Sequence, residues 1–159
     1  MHARILPTAV AWRAGLTHHA ATFLGMAPPG AARRSITKQG IRDMSIKRLQ
    51  AGPRMSQAVI HNNTVYLAGQ VAIDAPGKSV TEQTKNILDR IDALLAEAGT
   101  DKTKLLSATI WLTDMRFFNE MNAVWDAWVA QGNTPARACV ESNLATPDFW
   151  VEIGVVAAV

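Results

Sequence analysis

The sequence of 159 residues contains a single cysteine, and no apolar run in it approaches the length of a membrane-spanning helix. One cysteine can form neither an internal disulfide bond nor a cysteine-based zinc cluster. A spanning helix needs roughly 20 consecutive apolar residues, so none is expected here. The single cysteine favours a reducing compartment, and we predict a protein of the cytoplasm.

Acidic side chains are nearly absent from the first 43 residues, which hold six basic groups and only Asp43 as an acid. The whole chain has a formal net charge of +3. Residues 44–159 therefore hold ten of the 16 basic groups and twelve of the 13 acidic groups, a net charge of −2. A phosphate-binding surface is not indicated for this part, so nucleic acid is not expected as a partner.

Residues 1–43 also differ from the rest in composition, with clusters of alanine, glycine and proline and scattered arginine. An Arg-rich, acid-poor leader is typical of an organellar transit peptide, which would place the protein in an organelle matrix. The alternative is that Met44 is the natural start, and we favour it because the domain pattern begins there. We expect a disordered leader over 1–43 and one domain over 44–159.

Three short strands are predicted at the start of this domain, over residues 46–50, 56–61 and 64–68. Asn62-Asn63 separates the second strand from the third, and asparagine is typical of tight turns. The second and third strands are therefore predicted to form a β-hairpin.

Two amphipathic helices are predicted after the hairpin. The first begins at the capping box of Ser79 and Glu82 and ends at Gly99, with apolar residues at spacings of three and four between them. The second runs over residues 117–130, with Asp114 placed to cap it and Gly132 placed to end it.

The remaining apolar runs are predicted strands over residues 105–112, 136–143 and 149–158. The run 105–112 is too continuous for a strand with one face in water, so we expect both of its faces to be covered. The element order is then β-β-β-α-β-α-β-β. This order predicts an α+β fold in which two helices cover one face of a mixed sheet.

Arg137 is the most informative side chain, because it stands inside a largely apolar strand. Alternation along the strand places Arg137, Cys139 and Glu141 on one face. An arginine there is expensive to bury unless something pairs with it. One hypothesis is a structural ion pair with Glu141 or Glu152. The other is that the guanidinium stays free to bind a small carboxylate through two parallel hydrogen bonds.

The segment 132–141, GNTPARACVE, resembles the signature of the Rid (YjgF-type) family. Three further segments agree with it: VYLAGQ at 65–70, ATIWLTD at 108–114 and FNEMN at 118–122. The resemblance covers about residues 46–158 in the right order, and the run 54–61 is similar to the YoaB-like branch. It implies the chorismate mutase-like (YjgF) fold, a homotrimer and a ligand cleft at each subunit boundary.

The resemblance also implies an activity, the hydrolysis of 2-imino or enamine acids to 2-keto acids and ammonia. The enzyme would be of the 2-iminobutanoate/2-iminopropanoate deaminase type and would need no cofactor. By position, Arg137 would bind the substrate carboxylate and Glu152 would hold or activate water. Cys139 would line the pocket, and the backbone around Gly69 would complete its wall.

Two positions depart from the family pattern. Met55 stands where a tyrosine lines the pocket, and Ala68 stands where a serine precedes the glycine. Both changes remove hydroxyl groups and make the site more apolar. Capture of a carboxylate is compatible with them, whereas water positioning and substrate range are expected to differ.

Two other functions are compatible with parts of the sequence. A non-catalytic trimer could bind keto acids with the same arginine, and some relatives have been described as endoribonucleases or translation inhibitors. The acidic domain and its single histidine, His61, argue against the nuclease. One histidine also excludes a multi-histidine metal site, so no metal is predicted. A Cys139–His61 nucleophile pair is conceivable, but we favour Cys139 as pocket wall.

Overall fold

A computed structural model describes residues 45–159, so the leader predicted over 1–43, with Met44, lies outside the described residues. The seven strands are β1 (Lys47–Ala51), β2 (Ser56–His61), β3 (Thr64–Leu67), β4 (Gln70–Val71), β5 (Leu105–Leu112), β6 (Ala136–Glu141) and β7 (Val151–Ala158). The helices are α1 (Val80–Glu97) and α2 (Phe118–Trp128), and 3₁₀ turns lie at Lys102–Lys104 and Met115–Phe117. None of these helices is long and apolar enough to cross a membrane.

The strands of residues 45–159 form one mixed sheet in the order β1-β2-β3-β7-β5-β6, with β4 also paired to β7. Only the β5–β6 pair is parallel. Helix α1 packs on α2 and on the central strand β7, so both helices lie on one face. The predicted fold class is confirmed. Strand β4 was missed because two residues carry no readable alternation.

The predicted hairpin is confirmed between β2 and β3. His61 pairs with Thr64, and the two residues between them, Asn62 and Asn63, have φ angles of 51° and 59°. Two consecutive residues with positive φ form the turn whose twist matches paired strands, and asparagine tolerates that conformation better than most residues.

Helix α1 begins and ends where the sequence predicts. The Ser79 hydroxyl accepts a hydrogen bond from the Glu82 N–H at 3.2 Å, and the Glu82 carboxylate accepts one from the Ser79 N–H at 3.2 Å. The capping box is therefore complete. Gly99, at φ +84°, follows the last turn in a conformation that suits glycine. The apolar face of the helix is fully buried.

Helix α2 begins later than predicted and is not capped by Asp114. The Asp114 carboxylate instead accepts the Arg116 N–H at 2.8 Å, which closes the 3₁₀ turn of Met115–Phe117. An aspartate can bond an amide two residues ahead and so compete with a regular helix start. Helix α2 ends at Trp128, and its buried side chains are Met121 and Trp125.

Strand β5 has only one covered face in this chain. The prediction that both faces are covered is therefore wrong for a single copy of the chain. Ala108, Ile110 and Leu112 are buried under the helices, whereas Thr109 and Trp111 on the other face are half-buried. The apolar run indicates burial on both sides, but one chain supplies helices for only one. We call the uncovered side the open face.

We expect Ser79→Ala to lower the free energy of unfolding by about 1 kcal/mol, because it removes the hydroxyl half of the capping box. The melting temperature should fall by roughly 4 °C for a domain of this size. Thermal unfolding followed by circular dichroism measures the change. Ser142→Ala is the control, since that hydroxyl bonds only to the neighbouring Asn143 carbonyl. Equal losses in both variants would contradict the cap's contribution.

Candidate functional site

Arg137 lies on the edge strand β6, directly beside Ala108 of β5. Paired residues of neighbouring strands point to the same side of a sheet, so Arg137 lies on the helix-covered face with Ala108. Cys139 and Glu141 follow at alternate positions and share that face, as the sequence predicts. Because β6 is the last strand, Arg137 remains exposed at the margin of the core.

Two neutral side chains of helix α2 hold the guanidinium of Arg137. Its Nη1 donates a hydrogen bond to Asn122 Oδ1 at 2.8 Å. Its Cζ lies 5.3 Å from the centre of the Trp125 ring, within the range of a cation–π contact. These contacts orient the charged group without neutralising it.

The hypothesis that Glu141 or Glu152 neutralises Arg137 is wrong within this chain. The Glu141 carboxylate accepts a hydrogen bond from the Met115 N–H at 2.9 Å instead. Within residues 45–159 the ion pairs are Lys102–Asp92 and Arg116–Asp114, and neither involves Arg137.

Glu152 lies on the open face, opposite to Arg137. It pairs with Trp111 across β7 and β5, and Trp111 alternates with the buried residues of β5. The carboxylate rests on the backbone of Gly69, since a Cβ added there would overlap the Glu152 side chain. Gly69 is therefore required by close approach of a side chain.

Burial raises the pKa of the Glu152 carboxyl above its usual value. An ion pair between Arg137 and Glu152, one of the two hypotheses from the sequence, would oppose this rise. The two groups lie on opposite faces of the sheet, so Arg137 of the same chain does not offset the burial.

Gly154 extends the surface on which Glu152 lies. A Cβ at Gly154 would come within 3.4 Å of the Trp111 ring and 3.8 Å of the Gly69 Cα. The two glycines thus leave a shallow floor beside the carboxylate. Sequence reasoning missed Gly154, although a glycine inside an apolar strand is a signal of close approach.

The remaining predicted site residues lie at the same end of the sheet as Gly69. Ala68 is half-buried, and its N–H donates to the Gln57 carbonyl at 3.0 Å, extending the β2–β3 ladder by one residue. Met55 precedes β2 and is 47% exposed. One region of the sheet therefore contains Met55, Ala68, Gly69 and Glu152. Within and beside it, we use the name glutamate group for Glu152, Gly69, Gly154 and Trp111.

Cys139 belongs with Arg137, and we call Arg137, Cys139, Asn122 and Trp125 the arginine group. Burial raises the pKa of the Cys139 thiol, and the Arg137 charge offsets part of that rise. The conceivable Cys139–His61 pair is wrong, because four inter-strand steps separate β2 from β6, roughly 19 Å. Cys139 packs against the core as a small apolar side chain.

Two cavities within residues 45–159 lie away from both groups. One, of about 290 Å³, lies between the helices beside Lys85, Lys102 and Trp128. Another, of about 250 Å³, lies beside Lys47, His61 and Val159. Neither is lined by Arg137 or Glu152, so these two cavities do not unite the arginine and glutamate groups.

Comparison with known proteins identifies relatives over this same part of the chain. The model of the family described as Endoribonuclease L-PSP matches residues 45–159. The RutC family protein YoaB of Escherichia coli is 46% identical over 117 residues, which are 73% of this chain and all of that protein. The expected similarity to the YoaB-like branch is confirmed.

Solved structures agree with the sequence comparison. NMB1025 of Neisseria meningitidis, a member of the YjgF protein family, is 47% identical with a TM-score of 0.71, and the match covers 74% of this chain and 97% of that one. YyfA of Yersinia pestis, a Rid family protein of unknown function, is 32% identical with a TM-score of 0.63, covering 69% and 90%.

We expect Glu152→Gln to raise the melting temperature at pH 7 by on the order of 2 °C. A raised pKa means that folding disfavours the charged carboxylate, so this group's contribution to stability declines as the pH rises through that pKa. At about pH 4 the side chain is largely neutral and the variant should match wild type. Thermal melts at both pH values measure the difference.

Glu141→Gln is the matched control for this prediction. Its carboxylate accepts a backbone hydrogen bond, so removing the charge there should leave the melting temperature unchanged or lower it. A lower melting temperature for Glu152→Gln at pH 7 would contradict the prediction, because it would show that a cation, from this chain or from a second copy, stabilises the charged carboxylate.

Proposed function

The chain belongs to the Endoribonuclease L-PSP family, which includes the YjgF/Rid proteins, and on this premise we propose that it hydrolyses reactive 2-imino or enamine acids to 2-keto acids and ammonia. The observation that carries the proposal is an arginine that is oriented by neutral partners and has no acidic partner among residues 45–159. Substrates of the 2-iminobutanoate and 2-iminopropanoate class carry the carboxylate that such an arginine binds.

Arg137 would bind that carboxylate. Its hydrogen bond within residues 45–159 uses Nη1, which leaves Nη2 and Nε free. A guanidinium can donate two parallel charge-assisted hydrogen bonds to a carboxylate, and these define the orientation of the ligand. The contacts with Asn122 and Trp125 hold the guanidinium in place beforehand, which lowers the entropic cost of binding.

Glu152 would take the proton from the attacking water. The water oxygen adds to the imine carbon, and the resulting carbinolamine loses ammonia as its hydroxyl becomes the keto oxygen. The net reaction consumes one imine and one water and releases one 2-keto acid and one ammonia. A carboxyl whose pKa is raised by burial is a better proton acceptor than an exposed one, provided that it is ionised.

No redox or metal chemistry is needed for this reaction. A protonated imine is already electrophilic, so orientation, a water molecule and a proton relay are sufficient. Met55 and Ala68 make the surroundings apolar, and we expect them to affect which imine side chains are accepted. A reducing compartment such as the cytoplasm suits the free Cys139.

The complete site requires a second copy of the chain. Arg137 and Glu152 point to opposite faces, so one copy would supply the arginine group and its neighbour the glutamate group. A contact between two different surfaces generates a closed ring when the rotation permits. We infer a homotrimer, as the family resemblance implies. The open face carries exposed apolar side chains for such contacts, including Tyr66 at 51% and Val140 at 43%.

Two other functions remain as candidates for the test to separate. A ring that only binds 2-keto acids would use the same arginine without needing Glu152. The family description raises RNA cleavage as the other. Residues 44–159 carry a net charge of −2 and one histidine, which is unfavourable for binding and cleaving a polyanion.

Arg137→Ala should lower kcat/KM for imine hydrolysis by about 100-fold or more, the equivalent of roughly 3 kcal/mol of charge-assisted binding. An amino-acid oxidase generates the imine in situ, and its disappearance is followed with and without the protein. Arg137→Lys should recover only part of the activity, because lysine keeps the charge and loses the two-pronged geometry.

Arg116→Ala is the control for this experiment, since it removes an exposed arginine that pairs only with Asp114. It should retain wild-type activity. Binding of 2-oxobutanoate without any acceleration by wild type would favour the binding protein. RNA cleavage abolished by Arg137→Ala would replace the proposed function with a nuclease.

Mixing two inactive variants tests whether neighbouring copies share the site. In a ring of Arg137→Ala and Glu152→Gln subunits, an interface can join the intact Arg137 of one subunit to the intact Glu152 of the next. Random 1:1 assembly should restore about one quarter of the wild-type sites. The measurement is imine hydrolysis after co-refolding, with each variant alone as the control. Absence of recovery in mixed rings would show that the residues do not act across an interface.

A further inference from the structure

A buried glutamine lies directly behind the glutamate group. Gln70 is 1% exposed and pairs with Ile153 of β7, so its side chain lies on the helix-covered side. Its Nε2 donates hydrogen bonds to Gln57 Oε1 and to the Ala68 carbonyl, both at 3.0 Å. The side chain therefore holds the backbone immediately before Gly69.

Arg90 of helix α1 determines which way the Gln70 amide faces. Its Nη2 donates to Gln70 Oε1 at 3.0 Å, and Arg90 takes part in neither ion pair of residues 45–159. A guanidinium can only donate, so the amide oxygen must face Arg90 as the acceptor, and the reversed orientation of the amide is excluded. The NH₂ end is thereby directed to Gln57 and Ala68.

The hydrogen bond from Gln70 to the Ala68 carbonyl also determines the direction of the Gly69 N–H. A peptide group is planar and trans, so its C=O and N–H point in opposite directions. Holding the Ala68 carbonyl on the Gln70 amide turns the Gly69 N–H away from that amide. Among residues 45–159, the Gly69 N–H takes part in none of the backbone hydrogen bonds of turns, loops and caps.

We propose that Arg90 and Gln70 are positioning residues that hold the Ala68–Gly69 peptide so that the Gly69 N–H is presented to the bound acid. This rests on the proposed function, and it extends the site to a pair of side chains that never touch the ligand. A donor held in place in advance costs no reorganisation when the substrate arrives. Glu152 lies against the same glycine, so the pair also keeps the surface under the carboxylate in register.

The test uses three variants of the full-length chain and one control. Arg90→Met keeps the aliphatic stem and removes every donor, whereas Arg90→Lys retains a cationic group that can donate to Gln70. Gln70→Glu keeps the acceptor for Arg90 but loses the donor to the Ala68 carbonyl. Lys85→Met removes an exposed cation from the same helix and is the control. Thermal melts select a temperature at which all four are folded.

Two readouts separate positioning from general stability. The first is the ¹⁵N relaxation order parameter of the Gly69 amide without ligand, expected to fall from about 0.85 to below about 0.6 in Arg90→Met and Gln70→Glu. The second is imine hydrolysis, where both variants should raise KM about 10-fold with a smaller change in kcat. Arg90→Lys should have a Gly69 order parameter and a KM close to those of wild type, and Lys85→Met should match wild type in both.

The outcomes distinguish this inference from the proposed function. A rigid Gly69 amide and an unchanged KM in folded Arg90→Met would overturn the positioning role, even if Arg137→Ala is inactive. Wild type without imine hydrolysis would overturn the proposed function. In that case the order parameter and the Kd for 2-oxobutanoate decide the inference, and a fall in order with a weaker Kd would support it.

Discussion

The alternation of side chains across β6, β5 and β7 is the constraint on which the site depends. The register pairs Arg137 with Ala108 and Glu152 with Trp111, and these two β5 residues point to opposite faces. The two chemically useful groups of the chain therefore cannot meet within it. The proposed imine hydrolysis would therefore need a second copy of the chain, so that Arg137 of one copy meets Glu152 of another.

The proposed site contains features that are unfavourable for the stability of a small domain. Glu152 is half-buried with a raised pKa, which makes its charged form unfavourable. Gly69 and Gly154 leave space beside it, and glycine in a strand-like segment weakens the segment. The helix-covered side compensates for these losses, since the apolar positions of α1, β5 and β7 form a continuous buried core.

Features that depend on neighbouring residues were predictable from the sequence. The Asn62-Asn63 turn, the capping box at Ser79 and the strand alternation around Arg137 all follow from contacts a few residues apart. The start of α2 was wrong because Asp114 can cap either a 3₁₀ turn or an α-helix, and the local sequence does not decide between them. Strand β4 is defined only by its pairing with β7.

The sequence by itself determined the two helices, six of the seven strands, the side of its own strand on which Arg137 lies, and the family resemblance. Only the tertiary structure decided that Asn122 and Trp125 hold Arg137, and that Glu152 lies on the opposite face against Gly69. The physical reason is that alternation within a strand is a local property with a period of two residues. Which faces of different strands coincide depends on register between segments far apart in the chain, which no local pattern records.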